Sequence, residues 1–109
     1  MATELELNGC LEITGIAADW DYKASKPSHW PEKPQIASIQ FDPGAADDAL
    51  MVREQNAGGP QRFHCLCQDT YDQRCKYFHG SRITPYIVFS ESAFSAGAKV
   101  TIELWRDNK

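Results

Sequence analysis

The sequence predicts an all-β fold, an antiparallel β-sandwich or jelly roll with one long Pro/Trp-rich loop. Three observations predict it. Apolar residues recur at a period of two, most cleanly in AKVTIELW, where Val100, Ile102 and Leu104 alternate with Thr101 and Glu103. Clusters of Gly, Pro, Asn, Asp and Ser separate these runs. No segment of ten or more residues carries a 3.6-residue period; the nearest, AADDALMVRE, accommodates one helical turn at Ala45 to Asp48 before a strand. Roughly six to eight short strands joined by turns fit a two-layer β architecture.

The first strand region is ELELNGCLEIT, residues 4 to 14, with Leu5, Leu7, Leu11 and Ile13 on odd positions. It reads either as a hairpin turning at Asn8-Gly9 or as one long strand kinked at Gly9. The unbroken odd-position register favours the single strand.

Residues 17 to 35, AADWDYKASKPSHWPEKPQ, interrupt the pattern. Pro27, Pro31 and Pro34 exclude a regular helix or central strand there. A connection this long is often functional. Its aromatic residues either fold back over one end of the sandwich or form an arm that packs on a neighbouring subunit. The second alternative makes Trp20, Tyr22, Trp30 and Pro31 partner-binding candidates.

The clearest strand–turn–strand signal is IASIQFDPGAADDALMVRE, residues 36 to 54. In its first run Ala37, Ile39 and Phe41 share one face, and Ser38 and Gln40 the other. Asp42-Pro43-Gly44 favours chain reversal, so this stretch is expected to be a β-hairpin. QNAGGPQ, residues 55 to 61, is a turn. RFHCLC then alternates Phe63, Cys65 and Cys67 against His64 and Leu66, and residues 68 to 82 read as polar and irregular. Pro85 opens YIVFS, whose continuous apolar block matches a strand buried on both faces. Ser95, Ala96 and Gly97 make the turn before the closing strand.

With 109 residues, the chain is expected to be a single domain, 1–109, with one core. It is 42% hydrophobic and 24% charged, the composition of a folded protein. A net charge of −4 without a Lys/Arg cluster argues against nucleic acid as partner. No apolar run approaches the ~20 residues of a membrane span. MATELELNG lacks the basic segment and apolar core of a secretory signal, so synthesis in a cytoplasm is expected.

One cluster has the composition of a metal site. Cys65, Cys67, Cys75 and His79 supply three thiols and an imidazole, the ligands zinc prefers, with His64 nearby. CKYFHG, residues 75 to 80, resembles the closing half of a CCCH zinc finger. The chain has Asp69, Thr70 and Tyr71 where such a finger needs a further Cys. The alternative is a set of small buried thiols without a cofactor. A Cys67–Cys75 disulfide would require oxidising surroundings. Cys75 and His79 lack an orienting carboxylate and an oxyanion hole, so no enzyme is expected. Asp47-Asp48 and Asp19/Asp21 fall short of a calcium loop and read as solvated loop residues.

Four stretches together carry a resemblance: IASIQFDPGAADDALMVRE, then Gly59-Pro60, then KYFHG with Pro85-Tyr86-Ile87, and finally GAKVTIELW. In this order they resemble a group of small virion-associated proteins of tailed bacteriophages, over residues 36 to 104. The resemblance implies a non-enzymatic β-sandwich of the virion, a capsid decoration or cement protein. Such proteins sit at capsid symmetry axes, often as trimers, so the implied partners are the major capsid protein and copies of the chain itself. A head–tail connector would give the same pattern. A receptor- or carbohydrate-binding β-sandwich, suggested by Trp20 and Trp30, is a further alternative.

Overall fold

Nine strands among the described residues of the computed structural model, residues 2–105, divide into two open antiparallel sheets. They are β1 (Thr3–Leu7), β2 (Cys10–Thr14), β3 (Trp20–Asp21), β4 (Gln35–Asp42), β5 (Ala49–Glu54), β6 (Gln61–Leu66), β7 (Arg74–Arg82), β8 (Pro85–Ile87) and β9 (Lys99–Leu104). One sheet has the order β1-β2-β9-β4-β7, the other β3-β8-β5-β6. The all-β sandwich expected from the alternating pattern is what forms. Between the sheets lies one apolar core to which Leu11, Ile13, Ile39, Phe41, Val100 and Ile102 contribute fully buried side chains.

The N-terminal region is a hairpin, not the single kinked strand its register suggested. Leu7 pairs with Cys10 across a two-residue turn, and both Asn8 (φ 51°) and Gly9 (φ 85°) are left-handed. Asn-Gly is the dipeptide that tolerates two such positions in succession. Glu6 completes the turn by accepting the Gly9 N–H at 3.0 Å.

The 36 to 54 stretch is corrected in the opposite sense. β4 pairs with β7 and β9, whereas β5 pairs with β6 and β8. The chain therefore crosses from one sheet to the other at residues 43–48, without forming a hairpin or the helical turn allowed at 45–48. The crossing is held by Asp48, whose side chain is buried. Its carboxylate accepts from the backbone N–H of Gly44 at 2.7 Å, Ala45 at 3.3 Å and Ser95 at 3.0 Å, and from Ser95 Oγ at 2.6 Å. Burial alone would raise its pKa, but these bonds win and hold it below the usual carboxylate value. Asp48 is thus a corner post and not a solvated loop residue. Gly44 is required there: a Cβ would meet the Ala96 carbonyl oxygen at 2.4 Å.

Within β4 a bulge shifts the register between Ile36 and Ser38, so Ile36 joins Ile39 and Phe41 in the core and Ala37 does not. β7 occupies a stretch read as irregular. It is an edge strand with mostly exposed residues, so the buried face that gives a strand its alternation is nearly absent. The YIVFS block is also shorter as a strand than expected: β8 ends at Ile87, and Phe89–Glu91 form a 3-10 turn with Phe89 39% exposed.

The Pro/Trp loop folds back into the sandwich. After the two-residue β3, one helical turn, α1 (Tyr22–Ser25), starts where Asp21 accepts the Lys23 N–H and ends before Pro27. Trp20, Tyr22 and Trp30 are buried, with ring centroids 6.4 Å apart in both successive pairs. The Tyr22 hydroxyl donates to the Pro31 carbonyl, and Trp20 Nε1 donates to Glu4 at 3.1 Å.

Candidate functional site

The structure scatters the Cys/His cluster. Cys65 and Cys67 point from the end of β6 into the core. Cys75 pairs with Gln40 on the outer face of the five-stranded sheet, where it is exposed. His79 lies in the β7 bulge with φ 52° and stacks on Tyr77, ring centroids 6.3 Å apart. Among the described residues, no three His, Cys, Asp or Glu side chains stand close enough to hold a metal ion. Cys65, Cys67 and Cys75 are free thiols. Burial, reinforced by neighbouring Cys67, pushes the Cys65 thiol up to about 11, so it is neutral at ordinary pH. The nearby Asp72 carboxyl is held down at about 2 by the Arg74 guanidinium, which donates to both its oxygens.

The aromatic candidates are equally committed. Trp20, Tyr22 and Trp30 belong to this chain's own core, and Pro31 supplies the carbonyl that receives the Tyr22 hydroxyl. They offer neither an exposed arm nor a flat indole platform for a sugar ring. Asp19 is also structural, accepting from the Tyr86 hydroxyl at 2.9 Å and the Phe89 N–H at 2.8 Å.

What the structure does expose is the rim of the five-stranded sheet. Its pairing register defines rows of side chains running from edge to edge. On the outer face one row is Leu7–Cys10–Glu103–Ser38–Tyr77 and the next is Leu5–Glu12–Thr101–Gln40–Cys75. Leu5 (53%), Leu7 (59%) and Tyr77 (67%) are exposed. On the core-facing side the rows are Glu6–Leu11–Ile102–Ile39–Lys76 and Glu4–Ile13–Val100–Phe41–Arg74. Each inner row starts on a carboxylate at β1, crosses three buried apolar residues and ends on a cation at β7.

The β7 rim is unusually basic for an acidic chain. A groove of about 220 Å³ between β6 and β7 is lined by Arg62, Lys76, Phe78 and Arg82 among others. A second, of about 190 Å³, shares Arg82 and adds Lys23 and Lys33. Most other described cations meet a carboxylate, and so does Arg62 in the first groove: Lys26 with Glu32, Arg53 with Glu91, Arg62 with Glu54, Arg74 with Asp72, and Lys99 with Glu12 and Asp42. The described Lys and Arg residues without one are Lys23, Lys33, Lys76 and Arg82, and every one lines these grooves.

The rim escaped sequence reasoning because its residues are distant in the chain. The signal that was present is the alternation Glu4-Leu5-Glu6-Leu7 beside Asn8-Gly9, which describes an edge hairpin with one acidic and one apolar face. Comparison with protein-family models, with curated proteins and with solved structures finds no match for this chain.

Proposed function

We propose that this chain is a non-enzymatic structural protein of a tailed-phage particle, a decoration or cement subunit that binds the major capsid protein and its own copies. The observation that carries the reading is the open rim of the five-stranded sheet: among the described residues β1 is an edge strand paired only with β2, and it presents Leu5 and Leu7 to solvent. An edge strand with free backbone groups and exposed apolar side chains is a template for pairing with another chain. The resemblance of residues 36 to 104 to virion-associated proteins supplies the setting. The burial of Trp20, Tyr22 and Trp30 in the core also favours this reading over sugar binding on their rings.

The test is co-sedimentation of the purified protein with assembled phage heads lacking it, read with its mass in solution. The expected result is saturable binding and self-association. A strictly monomeric protein with no affinity for the shells would overturn the reading.

A further inference from the structure

Two edges of one sheet, β1 and β7, are complementary to each other. We propose that β1 of one copy lies along β7 of the next, in parallel, so that the five-stranded sheet continues from copy to copy with Glu6 beside Lys76 and Leu7 beside Tyr77. The inference rests on the self-association in the proposed function and names the surface that carries it.

The strand directions dictate this arrangement. Neighbours in the order β1-β2-β9-β4-β7 are all antiparallel, so β1 and β7 run the same way. A second copy displaced sideways along the rows, following the sheet's own twist, presents its β1 to the free edge of β7 with the same faces aligned. Because Glu6 and Lys76 end one row, they become neighbours without any stagger, and so do Leu7 and Tyr77. The inner side of the new contact then pairs acid with base. Its outer side joins exposed leucines to Tyr77 and Cys75.

The two-fold alternatives fail on charge. Pairing β1 with β1 sets Glu4 and Glu6 against their own copies, and pairing β7 with β7 does the same to Arg74 and Lys76. Like charges directly opposite one another destabilise a strand pair. Opposite charge therefore selects the head-to-tail contact.

The lengths also agree. β1 stops at Leu7 because the chain turns at Asn8-Gly9. β7 keeps regular pairing only through Tyr77, since its register with β4 breaks between Tyr77 and Ser81, where His79 and Gly80 take positive φ. The bulge blunts the rest of the edge and leaves a straight segment that β1 can match. Lys76 has no carboxylate partner among the described residues. Glu6 bonds the Gly9 N–H and lies 3.6 Å from His29. Arg74 already holds Asp72, so Lys76 is the β7 cation left to meet Glu6 across the contact. A head-to-tail contact either closes into a ring or runs on as a filament.

Charge exchange tests the contact. Glu6→Lys and Lys76→Glu are each expected to weaken self-association about tenfold by light scattering, as a matched pair becomes a repulsive one. An equimolar mixture of the two variants is expected to recover it, because each then meets an opposite charge; recovery also shows that both fold. Leu5→Cys is expected to form an intermolecular disulfide with Cys75 under mild oxidation with diamide, giving a ladder that Cys75→Ser abolishes. Wild-type self-association unchanged by both single variants, with no ladder, overturns the β1–β7 contact and leaves the proposed function standing. A wild-type protein monomeric at every concentration overturns both.

Discussion

Ser95 Oγ donates to the buried carboxylate of Asp48 at 2.6 Å, joining the crossing between the sheets to the turn before β9. Among the described residues no cation shares this carboxylate, and hydrogen bonds hold it ionised. Ser95→Ala removes one charge-assisted bond and is expected to destabilise the fold by about 1.5–3 kcal/mol in denaturant unfolding. Asp48→Asn turns an amide N–H₂ toward groups that are themselves donors, and a loss of at least about 2 kcal/mol is expected.

The same carboxylate sets an acid limb on stability. Its folded pKa lies below the ordinary carboxylate value. Its contribution is therefore complete above the unfolded pKa, near ~4, and is lost as pH falls through the lower folded value. Wild-type thermal stability is expected to fall steeply below about pH 4, and Asp48→Asn to flatten that limb. Parallel acid profiles for the two proteins would contradict the assignment.

The Trp20–Tyr22–Trp30 cluster makes the Pro/Trp loop part of the core. Trp30→Ala is expected to destabilise the protein by about 3–5 kcal/mol, and Tyr22→Phe, which leaves the Pro31 carbonyl without its donor, by about 1 kcal/mol. A loop acting as a detached arm would tolerate both changes, and the melting temperature separates the two outcomes.

The thiols are expected to report the scattering of the Cys/His set. Cys75 is exposed on the outer face and is expected to react rapidly with a thiol reagent in the native state. Cys65 and Cys67, buried and with raised pKa values, are expected to react only on unfolding. A strong chelator is expected to leave both the labelling pattern and the melting temperature unchanged. A chelator-induced exposure of Cys65 and Cys67 would restore the zinc reading.

Local sequence pattern carries information only where burial constrains alternate residues. β9 and β6 were legible because one face of each is buried and the other wet, which writes the period of two into the sequence. β7 was not, since an edge strand with only Phe78 buried has no such constraint. Asp42-Pro43-Gly44 correctly marked a change of direction. Whether the chain then returns along its own strand or crosses to another sheet depends on Asp48 meeting Ser95, 47 residues away. The Cys/His residues are close in sequence but divided between sheets: Cys65 and Cys67 are buried at the end of β6, whereas Cys75 is exposed on β7. The acidic β1 edge and the basic β7 edge were each visible as residues, but their place at two ends of the same rows required the strand order.

Hydrogen exchange tests the central claim, that neighbouring chains close the open rim of the five-stranded sheet. Amides of residues 3–7 and 74–77 are compared in dilute protein and in protein saturating assembled shells. Fast exchange is expected at the free edge amides of both segments in dilute solution, and strong protection of both in the assembled state. Unchanged exchange in both segments on assembly would contradict it.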